Sequence, residues 1–144
     1  MMVSRKKAEH GVAEPDWKLL LKAPAERKVA AAHWEQIVAE MSERETLSPL
    51  NAHAVQRLIL AYLLFDRCSL AMAEEGVVTP PQKDNPKSIP RLSVHFHAMK
   101  AAAADAERLE AQLGLSPQRR NKVAKVTKKT RRNVGADAFL NAGT

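Results

Sequence analysis

The chain has 144 residues, 45% of them hydrophobic but only 4% aromatic, and a single cysteine. That length suits one domain, with a core built from Leu, Val, Ile, Met and Ala, a palette that favours packed helices over a sheet. Cys68 alone excludes an intrachain disulfide and fits a reducing cytoplasm. No stretch is apolar for long enough to span a bilayer, and the basic residues 1–10 lack the apolar run of a signal peptide. The net charge of +7 is unevenly placed: residues 116–144 hold eight cations against Asp137, whereas residues 1–115 hold fifteen cations and fifteen acids. The whole excess therefore lies in a C-terminal tail on a neutral body, an arrangement that suits holding a polyanion.

In chain order, residues 1–24 read as a polar arm carrying Arg5, Lys6 and Lys7. Pro15 and Pro24 bracket one or two helical turns between them. A first long helix is expected over residues 25–43, because Ala30, Trp34, Ile37, Val38 and Met41 fall on one helical face. Ser48 followed by Pro49 is a capped helix start, so a second helix is expected over 49–75, with Gly76 as its left-handed stop. These two helices should form an antiparallel hairpin. The middle of the second, Leu-Ile-Leu-Ala-Tyr-Leu-Leu-Phe over 58–65, is apolar all round. One partner helix cannot cover it, so it is either sandwiched within the domain or covered by another subunit. Leu58, Leu60, Tyr62, Leu63, Leu64 and Phe65 are accordingly the candidate oligomer interface.

Residues 77–91 contain four prolines and no helical period, which marks a connector. A third helix is expected over 91–113, with Leu92, Phe96, Met99, Ala103, Ala106, Leu109 and Leu113 as its seam and Gly114 as its end. The helical core thus spans 25–115. Residues 116–144 form a short restart, signalled by Leu115-Ser116-Pro117, and a basic tail. The fold class is all-α.

Signatures of catalysis are missing. There is no glycine-rich phosphate loop with a following Lys-Ser or Lys-Thr, no Cys-x-x-Cys pair and no His-Glu-x-x-His. His95 and His97 are spaced so that a helix would point them to different faces, which favours two surface histidines over a metal pair. Trp34 and Tyr62 sit on apolar seams, so packing is favoured over base stacking. The acidic groups Glu40, Glu43 and Glu45 read as a solvated helix face. No cofactor or metal is expected.

One motif stands out: Leu113-Gly114-Leu115-Ser116-Pro117-Gln118-Arg119-Arg120, a helix stop, an apolar anchor and a capped restart with two arginines in its first turn. It follows Trp34 in the middle of an early helix and the Leu47-Ser48-Pro49 start. Next in order come the apolar helix with Tyr62 and Phe65, the Glu74-Glu75-Gly76 stop, and a loop ending in Asn85-Pro86. Taken in order, this set resembles the phage terminase small subunits over about residues 26–122. The loop before Asn85 is richer in proline than in those relatives, and the tail beyond Lys122 is not part of the pattern.

The resemblance implies a non-catalytic, ring-forming homo-oligomer, with a nonamer as the working ring size. It would bind viral double-stranded DNA in the host cytoplasm and serve a separate large subunit that holds the ATPase and nuclease. Charge alone assigns the DNA contacts to Arg119, Arg120, Lys122, Lys125, Lys128, Lys129, Arg131 and Arg132, with Arg5, Lys6 and Lys7 as a second group. The main alternative is a small basic dimeric DNA-binding regulator or architectural protein. An enzyme, such as a nuclease, is the third reading. The turn over residues 44–48 is not read as a helix-turn-helix, because the helix after it is too apolar to lie in a major groove.

Overall fold

The computed structural model describes residues 10–116. They form one helical turn, α1 (Trp17–Leu20), and three long helices, α2 (Pro24–Glu43), α3 (Ala52–Glu75) and α4 (Val94–Leu113). A 3-10 turn (Pro49–Asn51) leads into α3, and a two-stranded ribbon, β1 (Val78–Thr79) and β2 (Arg91–Leu92), lies between α3 and α4.

α3 is the axis of the domain. Its pairing with α2 is antiparallel, tied by Arg67 donating to both carboxylate oxygens of Glu26 (3.0 and 2.7 Å) and by the His33 ring lying 5.2 Å from that of Tyr62. Its pairing with α4 is also antiparallel. Here the Tyr62 hydroxyl donates to Glu110 Oε1 at 2.6 Å, Ser69 Oγ lies 3.4 Å from Met99 Sδ, and Glu75 faces His95 at 3.6 Å. The largest of the fully buried side chains, Met41, Val55, Leu58 and Ile59, occupy the end of the bundle where α2 hands over to α3. The expected hairpin of α2 and α3 is therefore present, but α3 has its more extensive packing with α4.

Each terminus has a local cause. Ser48 accepts from the amide of Leu50 and Pro49 opens the turn as anticipated, but the first three residues take the tighter 3-10 form before α3 proper. α4 begins three residues later than its pattern suggested. Ser93 caps it, accepting from the amide of His95, while its own amide donates to the carbonyl of Val77. Arg91 and Leu92 are thereby held in the ribbon, where Val78 faces Leu92 and Thr79 faces Arg91. The α4 seam consequently runs through Ala102, Ala106, Leu109 and Leu113, with Phe96 and Met99 half-buried; Ala103 and Leu92 are exposed. Counting back from Leu113 in alternating steps of four and three reaches Ala102, not Ala103.

The Leu113-Gly114-Leu115 element closes the domain. Gly114 is left-handed (φ 72°, ψ 22°). Its amide donates to Ala111, and the Leu115 amide reaches back to the Glu110 carbonyl at 2.8 Å. This is the Schellman arrangement, in which the residue after the glycine packs back on the core, as Leu115 does. The Gly114 carbonyl accepts from Arg44 Nη1 at 3.2 Å, and Arg44 is held in turn by Glu40 at 2.6 Å. The motif thus ties the C-terminal end of α4 to that of α2.

The core also starts earlier than residue 25. Val12, Trp17 and Leu21 are buried, Trp17 meets Trp34 edge-on at 6.4 Å, and Arg27 caps the carbonyls of Leu21 and Lys22. Residues 12–21 therefore belong to the packed domain rather than to a polar arm.

Gly76 ends α3 with φ 82° and ψ 171°, not in the left-handed helical region but in one open almost only to glycine. Nothing lies within 4 Å of where a Cβ would stand. Gly76→Ala should therefore cost about 1–3 kcal/mol of stability through backbone strain alone, measured by urea denaturation. An unchanged midpoint would contradict this conformation.

Candidate subunit interface and nucleic-acid contacts

The apolar girdle of α3 divides into two groups. Leu58 (0% exposed) and Leu63 (4%) are spent inside the protomer, together with Ile59 and Ala61. Leu60 and Tyr62 are half-buried against the same core, while Leu64 and Phe65 are 38% and 37% exposed. Sandwiching by α2 and α4 thus accounts for much of the run, and Leu58 and Leu63 are core residues rather than contacts open to a second copy. What remains outward is a stripe of Arg57, Leu60, Leu64, Arg67 and Ala71, spaced by three and four residues, with Phe65 beside it.

Tyr62 links all three long helices. Desolvation, and then its hydrogen bond to Glu110, raise its pKa above the ordinary tyrosine value, so its hydroxyl stays protonated and donating. With His33 on one side and Glu110 on the other, its ring is engaged in packing and not displayed for stacking on bases. Trp34 is 5% exposed and equally committed to the core. His95 faces Glu75, but among the described residues no three His, Cys, Asp or Glu side chains converge as a metal site.

The eleven cations expected to contact DNA, Arg5, Lys6, Lys7, Arg119, Arg120, Lys122, Lys125, Lys128, Lys129, Arg131 and Arg132, lie outside the described residues. The described part holds twelve Lys and Arg against fourteen Asp and Glu, so its own net charge is slightly negative. The outward side of α3 is centred on Leu60, Leu64 and Phe65 and is too apolar to lie in a major groove, so the turn before it does not present a recognition helix. No helix among the described residues is long and apolar enough to cross a membrane.

The structure shows one feature that sequence reasoning passed over. The connector between α3 and α4 is not featureless. It carries exposed Val77, Val78, Ile89 and Leu92 beside Lys83, Lys87 and Arg91, and a Ser88 side chain that accepts from the Gln82 amide at 2.9 Å. The available signal was the recurrence of apolar residues at both ends of a proline-rich stretch, which a helix-period search discards.

Replacing Leu64 with Asp should leave helix content by circular dichroism close to wild type while reducing oligomer mass in light scattering. Leu58→Asp should instead prevent folding, since a charge without a partner in the core costs several kcal/mol, on the order of 3 or more. Equal effects of the two substitutions would contradict the division of α3 into a core side and an outer side.

A comparison with known families gives one match. A family model described as phage terminase, small subunit, matches residues 30–130, a span that takes in α2 from Ala30 onward, α3, the connector, α4 and the closing Leu-Gly-Leu element. No curated protein and no solved structure matches the chain significantly.

Proposed function

The chain belongs to the phage terminase small subunits, a family of viral genome packaging, and from that premise we propose that it is the DNA-recognising, non-catalytic partner of a large subunit. In this reading several copies form a ring in the host cytoplasm, with a nonamer as the working size. The ring holds viral double-stranded DNA and presents it to the separate subunit that carries ATPase and nuclease chemistry. The observation that carries the proposal is the family match over residues 30–130.

Physical arguments support the assignment of roles within the chain. The described body has a small negative net charge and cannot draw in a polyanion by charge alone, whereas residues 116–144 carry a net +7. Arg119, Arg120, Lys122, Lys125, Lys128, Lys129, Arg131 and Arg132 are therefore proposed to supply most of the affinity, with Arg5, Lys6 and Lys7 secondary. A ring multiplies such tails on one duplex, raising the effective concentration of each after the first has bound. Lysines and arginines on phosphates position a protein without reading bases, so tail contacts confer affinity with weak sequence preference. The outer stripe of α3, Leu60, Leu64 and Phe65, is proposed to contact the next copy.

Truncation after Ser116 tests the DNA assignment. Binding to a packaging-site duplex should weaken at least tenfold, about 1.4 kcal/mol. The slope of log affinity against log salt should flatten, since each neutralised phosphate contributes roughly 0.9 to it. Oligomer mass should be unchanged. Retained affinity and slope would move the DNA site to the body or to the N-terminal residues.

A further inference from the structure

We infer that the connector between α3 and α4 is one half of a head-to-tail contact, seated on the outer face of α2 in a second copy of this chain. The inference rests on the ring-forming reading and adds which surfaces meet.

The connector end is both apolar and cationic. Val77, Val78, Ile89, Leu92 and, at the start of α4, Val94 are 46–74% exposed. So many large apolar side chains on one short stretch mark a surface that another protein covers. They sit among Lys83, Lys87 and Arg91, none of which has an ion-pair partner among the described residues. Residues 76–104 carry a net +3, whereas the other described residues, 10–75 and 105–116, carry a net −5. The described residues therefore hold a cationic connector side and an acidic remainder, complementary to one another between copies.

Two other occupants fit less well. A nucleic acid would meet the cations, but its phosphates offer nothing to Val78, Ile89 or Leu92. A second connector would set Lys83, Lys87 and Arg91 against their own copies, so a two-fold pairing of this surface with itself is repulsive. A surface that is not self-complementary makes heterologous contacts, which form rings where the rotation between copies closes. Strand addition at the ribbon is also disfavoured: each strand is two residues long, and Pro80, Pro81 and Pro90 flank the pair. Docking is therefore by side chains.

The acceptor is the outer face of α2 over residues 32–43. Ala32, Glu35, Gln36, Ala39 and Glu43 are exposed there, at the spacing of one helical face. The alanines allow close approach. Glu35 and Glu43 have no ion-pair partner among the described residues, unlike Glu26, which Arg67 holds, or Asp105, which Arg108 holds.

The test uses the full-length chain and measures native mass and helix content across concentration. Three variants are compared with wild type: Val78→Ser with Ile89→Ser, Lys83→Glu with Lys87→Glu and Arg91→Glu, and Glu35→Lys with Glu43→Lys. All the replaced side chains are exposed, so helix content should hold. Each variant should raise the apparent subunit dissociation constant at least tenfold. Combining the two charge reversals should recover part of the loss, which a mere folding defect would not do. Variants that assemble like wild type would overturn this inference and leave the ring reading intact, whereas a monomeric wild type would overturn the ring reading itself. Unchanged mass with lost duplex binding in the lysine variant would make the connector a polyanion contact and overturn the inference. Loss confined to the connector variants, without rescue, would overturn α2 as the acceptor.

Discussion

The constraint on which this protomer depends is the run of apolar residues in the middle of α3. A helix that is hydrophobic on every side needs cover on more than one side, and the chain supplies it by folding α2 back along one flank of α3 and α4 along the other. The polar atoms at the centre are then placed where they bind rather than break the packing. Tyr62 donates to Glu110 on α4 and stacks beside His33 on α2, so its hydroxyl is satisfied where it is half-buried. The two ends are closed differently. At one, Arg67 forms a two-pronged pair with Glu26, and this pair is exposed enough to be screened by solvent and salt. At the other, the Schellman turn at Gly114 and the Arg44 guanidinium join the last residues of α4 to α2.

This arrangement changes how the family-like pattern is understood. Leu113-Gly114-Leu115 attracts notice in the sequence because of the arginines that follow it, yet its structural role is internal. Gly114 supplies the left-handed residue, Leu113 and Leu115 anchor the stop, and the Gly114 carbonyl is the point that Arg44 grasps. The motif fixes where α4 ends, just ahead in sequence of the cations from Arg119 onward.

The three long helices, the Ser48-Pro49 start and the glycine stops were legible in the sequence because the signals are local. Ser48-Pro49, Gly76 and Gly114 mark ends through backbone geometry that depends on one or two residues. The seam of α2 could be read directly, since Ala30, Trp34, Ile37, Val38 and Met41 are all buried. Two things were not legible. The division of residues 58–65 into core and outer side depends on where α2 and α4 lie, which periodicity cannot give when every position is apolar. The start of α4 depends on Ser93 donating to the carbonyl of Val77, a contact set by the ribbon rather than by helix propensity. The same non-local origin hid the connector surface, since exposed Val78 and Ile89 resemble ordinary core residues until the fold leaves them outside. The cations assigned to DNA were read from charge alone, and the described residues do not include them.

The central claim is that this chain works as one copy in a closed assembly that takes up DNA. Native mass spectrometry of the intact protein, with and without a packaging-site duplex, addresses it most directly. The account predicts one discrete species well above a dimer at micromolar concentration, which gains the mass of the duplex without losing subunits. A monomer or dimer in both conditions, or a larger species that never acquires DNA at low salt, would contradict it.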